Sequence, residues 1–216
     1  MTALTSPAFA PTIARLLAEA GASDAAFFAR RSEFPADIHL SPDYREFYHL
    51  AKDAYLAVSP ETARLLYMLA RAVRAKTIVE FGASFGVSTL HLAAALKDNG
   101  GGELITTEFE AAKAAQLRLT LAEAGVADLV DLREGDALET LANNLPDAID
   151  LVLLDGAKPL YPAILDLLQP RFVAGTLIVA DNADMSPDYL ARVRGTNSGY
   201  LSLPFGDDVE LSQWIG

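Results

Sequence analysis

Two aspartates stand directly behind apolar runs. Asp155 follows Ile149-Asp150-Leu151-Val152-Leu153-Leu154, and Asp181 follows Thr176-Leu177-Ile178-Val179-Ala180, with Asn182 next to it. If the two runs are neighbouring strands, about 4.8 Å apart, both carboxylates and the Asn182 amide oxygen can converge on one ion. Three hard oxygen donors without imidazole or thiolate suit Mg²⁺, Mn²⁺ or Ca²⁺ rather than zinc. Mg²⁺ suits them best, because it accepts few protein ligands and keeps its other positions for water or substrate oxygens. Capping of the following helix or turn would explain either aspartate alone, but not the pair with Asn182. Lys158, three residues after Asp155, is placed to take a proton from a hydroxyl at such a site, provided the cation and partial burial lower its own pKa. Outside this neighbourhood it would read as a solvated lysine.

A second constellation is Glu80-Phe81-Gly82-Ala83-Ser84-Phe85-Gly86-Val87-Ser88. Gly82 and Gly86 permit a tight turn and close backbone approach to a ligand before a helix begins. Glu108 lies 26 positions beyond Gly82, where an acidic side chain can accept hydrogen bonds from both hydroxyls of a ribose. The spacing G-x-x-x-G, in place of G-x-G-x-x-G, points away from a pyrophosphate and toward a cofactor with one nucleoside and no phosphate. The glycines alone could merely shape a turn. Together with Glu108 they imply a nucleoside-containing cofactor.

These residues need a scaffold that brings strand ends together. From Thr77 short β-rich runs alternate with Ala/Leu-rich ones: TIVEF, a helix 88–97, ELITTE, a helix 110–124, LVDLRE, a short helix from Ala137, IDLVLLD, a helix 160–168 and GTLIVAD. Runs that are apolar at nearly every position match parallel strands covered on both faces. The expected fold class is a doubly wound α/β sheet, mainly parallel and Rossmann-like, whose ligands bind beyond the carboxyl ends of the strands. A helix from Pro187 to Arg194 and the runs 200–203 and 209–215, split by a turn-rich segment, predict a closing β-hairpin. Ahead of the sheet the pattern is helical. Pro11 opens one run, Ser23 is placed to cap a run ending near Arg30, and Pro42 opens another. Ser59 then stands at an N-cap with Pro60 behind it, and Ala63, Leu66, Leu69, Ala70 and Val73 share a face. No linker or repeat interrupts the chain, so it reads as a single domain over 1–216, with 1–75 a helical appendage and 76–216 the α/β core.

Of the 216 residues 51% are hydrophobic and 21% charged, which describes a globular chain able to bury a full core. The 29 acidic and 17 basic residues leave a net charge of −12, a field that repels nucleic acid and lacks a basic membrane-docking face. The expected substrate is small. With no cysteine, thiolate nucleophiles, disulfides and Cys-based metal sites are excluded. No stretch approaches the roughly 20 apolar residues of a membrane span, and the N-terminus lacks a basic signal region, so the expected setting is soluble and cytoplasmic.

Val79-Glu80-Phe81-Gly82 through Ser88, the strand ending at Glu108, and Gly135-Asp136-Ala137 resemble the cofactor motifs of class I S-adenosylmethionine-dependent methyltransferases. Leu154-Asp155-Gly156-Ala157-Lys158 with Tyr161, and Ile178-Val179-Ala180-Asp181-Asn182, resemble the divalent-cation-dependent O-methyltransferases of the catechol and caffeoyl-CoA type. The stretch 187–195 is similar to the catechol branch in particular, and Val58-Ser59-Pro60-Glu61 to its bacterial members. The resemblance covers about Ala54 to Gly195. It implies S-adenosyl-L-methionine held by Val58, Glu80, Gly82, Ser84, Gly86, Ser88, Glu108, Asp136, Ala137 and Asp155. It also implies a divalent cation held by Asp155, Asp181 and Asn182, with Lys158 as catalytic base. The acceptor it implies is a small hydroxylated, catechol-like aromatic, and related folds often pair through their leading helices as homodimers.

The chain departs from that pattern in places. Where the catechol enzymes carry a late carboxylate for the second hydroxyl, an ungapped reading offers Leu201, with Asp207 and Asp208 as the nearby substitutes. Gly156 and Ala157 replace aromatic and imidazole groups, so adenine must be held by other surfaces. His39, His49 and His91 lack ligand spacing and read as surface or packing residues. Trp214 reads as core. Phe34, Phe47, Tyr48 and Tyr55 belong either to the core or to the rim of a substrate site. Two other functions fit the same sheet: a nicotinamide-dependent oxidoreductase, disfavoured by the missing G-x-G-x-x-G, and a non-catalytic S-adenosylmethionine-binding module.

Overall fold

The computed structural model describes residues 2–35, 38, 44–206 and 208–216. Three helices lead the chain: α1 (Ala10–Ala29), α2 (Tyr44–Leu50) and α3 (Pro60–Ala72). At α3 the Ser59 hydroxyl accepts the Thr62 amide and Pro60 opens the helix, as the cap signature predicts. The expected break at Ser23 is corrected. α1 runs through it as one 20-residue helix, because the Ser23 hydroxyl bonds back to the Ala20 carbonyl at 3.2 Å instead of capping a new turn. The expected helix start at Pro42, and also His39 and Asp207, lie outside the described residues.

The sheet contains β1 (Thr77–Phe81), β2 (Glu103–Glu108), β3 (Val130–Glu134), β4 (Ile149–Leu154), β5 (Phe172–Ala180), β6 (Tyr200–Phe205) and β7 (Val209–Trp214), in the order β3-β2-β1-β4-β5-β7-β6. The first five run parallel, while β7 is antiparallel to both β5 and β6 and forms the predicted hairpin. The connecting helices are α4 (Val87–Asp98), α5 (Ala111–Glu123), α6 (Ala137–Thr140), α7 (Tyr161–Leu168) and α8 (Pro187–Val193).

The near-continuous apolar runs are explained by two cores, one on each face. Ile78, Leu151, Leu153 and Val179 point into one, with residues of α1, α3 and α4. Their neighbours Val79, Val152, Leu154 and Ile178 point into the other, with α7 and α8. α4 is buried from Val87 to Leu96, since it is sandwiched between the sheet and α3. Among the described residues no helix is long and apolar enough to cross a membrane. From β1 the chain order runs outward in both directions, to β2 on one side and β4 on the other. The carboxyl ends of β1 and β4 therefore flank the crevice at the switch in strand order, where open α/β sheets bind ligands.

Candidate active site

The turn after β1 is shaped by backbone constraints. Gly82 has φ +97°, and a Cβ there would lie 2.8 Å from the Asp155 carbonyl oxygen and from the Gly156 amide nitrogen. Ser84 follows with φ 48°, a strained value for a side-chain-bearing residue. Its conformation is held from three sides. Its amide donates to Glu108 Oε2 at 2.7 Å, its hydroxyl donates to the Tyr55 carbonyl at 2.5 Å, and Lys113 Nζ donates to the same hydroxyl at 3.2 Å. Glu108 ends β2 and also accepts the Glu110 amide at 2.8 Å through Oε1. Each of its oxygens keeps a second lone pair for a ligand. Burial pushes the Glu108 carboxyl up, opposed by those amides and by the nearby Lys113.

Around this turn lies a cleft lined by Gly82, Ser84, Glu108, Asp136, Ala137 and Asp155 among others. α2 closes over it. The Tyr44 hydroxyl and Arg45 Nη2 donate to Asp136 Oδ2 at 3.1 and 2.7 Å, while Asp136 Oδ1 caps α6 through the Leu138 amide. Burial works to raise the Asp136 carboxyl, but these donors together hold it below its ordinary value.

Asp155 borders a second cavity, lined also by Asp24, Phe28, Arg31, Phe47, Lys158, Asp181, Asn182 and Asp208. The strand ends carrying its acids are in register, Leu154 opposite Ala180, and the Tyr161 hydroxyl ties them by bonding the carbonyls of Leu154 and Asp181 at 2.8 Å each. Asn182 takes a left-handed conformation, φ 47°, and its amide nitrogen donates to Asp208 Oδ2 at 3.2 Å, leaving its amide oxygen for another partner. Burial, then the Asp155 charge, pushes the Asp181 carboxyl up to about 8. Lys158 Nζ sits 3.0 Å from Asp155 Oδ1. Without a cation beside it, the expected lowering of its pKa does not arise. Burial does favour the neutral amine, but Tyr161, Asp155, Tyr48 and Asp181 outweigh it and hold the ammonium charged.

Of the residues singled out in the sequence, Gly82, Ser84, Glu108, Asp136, Ala137 and Asp155 meet in the first cleft. Ser88 lies in a small side pocket with Gly82, Ser84 and Val87. Asp155, Lys158, Asp181 and Asn182 meet in the second cavity. Three others stand back from these walls. Glu80 is buried behind the turn, where its Oε2 accepts the hydroxyls of Thr89 and Thr106 at 2.7 and 2.6 Å, and burial pushes it up to about 7. Val58 is a core residue. Gly86, the left-handed N-cap of α4, makes room for Leu117, whose Cδ1 lies 2.6 Å from where a Cβ would stand.

Phe47 and Tyr48 line the second cavity and Tyr55 the first cleft, whereas Phe34 stacks on Phe27 in a satellite core. Leu201 is 61% exposed on β6. Asp208, not Leu201, brings a further carboxylate to the second cavity. Gly156 packs against the Phe81 ring. His91 is buried with Nδ1 on the Val87 carbonyl, and exposed His49 faces Glu110 at 3.7 Å.

Sequence reasoning does not single out Lys113, Tyr44, Phe109 or Asp24. Phe109 sits just after a strand end, the position that could have flagged it. Asp24 accepts the Leu56 and Ala57 amides at 2.8 and 3.3 Å and so fixes the strap between the two cavities, a long-range contact with no local signature.

A doubly wound sheet with a glycine turn after β1, a carboxylate after β2 and paired acids after β4 and β5 defines an α/β protein built for a nucleoside ligand beside an acidic site. Residues 79–183 match the methyltransferase domain family. A catechol O-methyltransferase of Niastella koreensis is 35% identical over 130 residues, 59% of this chain and 58% of that protein. One of Mycobacterium tuberculosis is 34% identical over 137 residues, 63% and 61%. The chain thus spans about three fifths of the length of these relatives. The O-methyltransferase TomG of Streptomyces achromogenes, solved in complex with SAM, superposes with a TM-score of 0.67 at 29% identity, covering 80% of this chain and 86% of that one. These matches make the chain similar to the class I O-methyltransferases of the catechol and caffeoyl-CoA type.

Proposed function

We propose that this protein transfers the methyl group of S-adenosyl-L-methionine to a hydroxyl of a small, catechol-like aromatic. A divalent cation, Mg²⁺ foremost, is held by Asp155, Asp181 and Asn182. The observation that carries this reading is the placement of the two cavities on either side of Asp155, which lets a donor in one meet an acceptor in the other. The names of the relatives agree with it. In this reading residues 1–216 work as one unit: the helices of 1–75 wall both cavities, and 76–216 supplies the strand ends. The absence of cysteine suits a cytoplasmic setting.

The acid pair fits a hard cation. Two buried carboxylates face each other, and burial with the Asp155 charge pushes Asp181 up to about 8 although Lys158 Nζ lies 3.0 Å from Asp155 Oδ1; the third donor is an amide oxygen. Among the described residues no three His, Cys, Asp or Glu side chains form a metal cluster, and the proposed donor set is two carboxylates plus Asn182. When bound, the cation supplies positive charge that lowers the pKa of the acceptor hydroxyl and orients its vicinal oxygen.

The residues of the chain align the reactants. Glu108 accepts the ribose hydroxyls, and the Asp136-Ala137 end of the cleft takes the base. The acceptor oxygen attacks the methyl carbon, the carbon–sulfur bond breaks, S-adenosylhomocysteine is left, and the proton goes to Lys158 Nζ in the fraction of the protein where that amine is neutral. Phe47, Tyr48 and Phe28 give the aromatic ring an apolar wall, and Asp208 stands where a second hydroxyl needs an acceptor.

Titration calorimetry with S-adenosylhomocysteine and with NADH separates this reading from a nicotinamide enzyme. Binding of the first and not the second is expected, and the reverse overturns the proposal. Glu108→Ala is expected to weaken S-adenosylhomocysteine by about 10- to 150-fold, the worth of charge-assisted hydrogen bonds of roughly 1.5–3 kcal/mol. Unchanged affinity would mean that the ribose lies elsewhere.

A further inference from the structure

Among the described residues three line both cavities: Tyr48 of α2, Leu56 and Asp155. They frame the opening through which a methyl group must pass when donor and acceptor lie on either side. Asp155 is placed by its strand end. Leu56 lies in the strap between α2 and α3, outside any helix or strand, at a φ of 47°. A side-chain-bearing residue holds that left-handed conformation only where its surroundings impose it. The group that imposes it is Asp24, inside α1. Asp24 Oδ1 accepts the Leu56 amide at 2.8 Å and Oδ2 the Ala57 amide at 3.3 Å. These two amides flank the Leu56 Cα, so one carboxylate fixes both of its backbone torsions. α1 secures the neighbouring residue as well, since the Ser23 hydroxyl accepts the Tyr55 amide at 3.3 Å and the Tyr55 hydroxyl donates to Glu19 Oε2 at 2.5 Å. The Leu56 side chain, with Tyr48, packs on the satellite core.

We propose that Asp24 is a positioning residue for methyl transfer: by holding Leu56 in its left-handed conformation, it sets the width of the opening between the two cavities. The proposal rests on the S-adenosylmethionine reading above. Direct displacement needs the acceptor oxygen in line with the carbon–sulfur bond and about 3–3.5 Å from the methyl carbon, and a misplacement of about 1 Å can cost 100-fold in rate. A wall free to change its backbone conformation cannot keep that tolerance. Released from Asp24, Leu56 relaxes toward negative φ and its side chain leaves the opening. Donor and acceptor then still bind, but their alignment is lost.

Asp24 also lines the acceptor cavity, so a competing role is direct contact with the acceptor. Single-turnover transfer from methyl-labelled S-adenosylmethionine to catechol, with Mg²⁺ present, separates the two. Asp24→Ala is expected to slow transfer by about 10- to 100-fold, while affinities for S-adenosylhomocysteine and catechol stay within about threefold. Asp24→Asn keeps an oxygen for the Leu56 amide and should recover most of the rate. Leu56→Gly removes the wall and the strain together, because glycine adopts the positive φ freely. It should slow transfer to a similar extent, and adding Asp24→Ala to it should cost less than about twofold more. A full further loss in the double variant, weakened catechol binding as the main effect of Asp24→Ala, or an unchanged rate in Asp24→Ala overturns the proposal. Wild-type transfer in Leu56→Gly does so without any change at Asp24. Wild-type protein that transfers no methyl group under these conditions contradicts the S-adenosylmethionine reading itself.

Discussion

Lys158→Ala is expected to lower kcat for a catechol acceptor by about 100-fold or more, the usual worth of a positioned proton acceptor, while S-adenosylhomocysteine affinity stays within a few-fold. Metal affinity should hold or rise, because the ammonium that sits 3.0 Å from Asp155 Oδ1 is removed. The pH profile carries the sharper signature. The protein holds Lys158 charged by surrounding it with Tyr161, Asp155, Tyr48 and Asp181, and only the neutral amine accepts a proton. Since its pKa is raised, the neutral fraction is small at pH 7 and grows with pH, so wild-type kcat should climb through the neutral and mildly alkaline range. The variant should lose that climb, and an acceptor acidic enough to be ionised already should be far less affected. Turnover assays across pH check this. Full activity on an ordinary catechol, or a parallel loss of metal binding and rate, would make Lys158 structural.

Gly82→Val is the second large effect. From the sequence, the space beside Gly82 reads as the ligand's. The structure gives it to the chain itself, since a Cβ would stand 2.8 Å from backbone atoms of Asp155 and Gly156 at a φ of +97°. Valine there forces β1 and β4 apart at the point where the two cavities meet, and β-branching makes the positive φ worse. Affinity for S-adenosylhomocysteine should fall by at least about 100-fold. Stability should fall by roughly 2 kcal/mol or more, from backbone strain and overpacking together. Calorimetry and thermal melting measure the two. A Gly82→Val protein with ordinary affinity and melting temperature would show that the turn is not the hinge of the site.

How much of the molecule is legible in its sequence follows from how local each signal is. Strands β4 and β5 are apolar at almost every position because both faces are covered, so the residue pattern alone places Asp155 and Asp181 at strand ends, while the pairing of the two strands comes from the fold. Ser59 and Pro60 mark their helix start by a capping bond three residues away, equally local. Lys113 is not legible: in Glu110-Ala111-Ala112-Lys113 it reads as an exposed helical lysine, and only the packing of α5 beside Ser84 buries it. Ser23 misleads for the opposite reason. Its hydroxyl satisfies the Ala20 carbonyl and accepts the Tyr55 amide, so a residue type that usually ends or begins helices stays inside one. Motif position alone makes Val58 and Gly86 ligand contacts, whereas the fold puts one in the core and the other against Leu117. Motif spacing identifies the turn, but which of its residues face the cleft depends on backbone conformation.

Metal-dependent methyl transfer across Asp155 is tested most directly by one measurement. The protein, freed of metal with EDTA, is incubated with S-adenosylmethionine labelled in its methyl group and a panel of catechols, with and without added Mg²⁺. Labelled O-methyl products are expected only when the cation is restored, and none from Asp181→Ala under either condition. Transfer undiminished by EDTA would contradict the metal site, and no transfer to any hydroxylated aromatic with the cation present would contradict the proposed reaction.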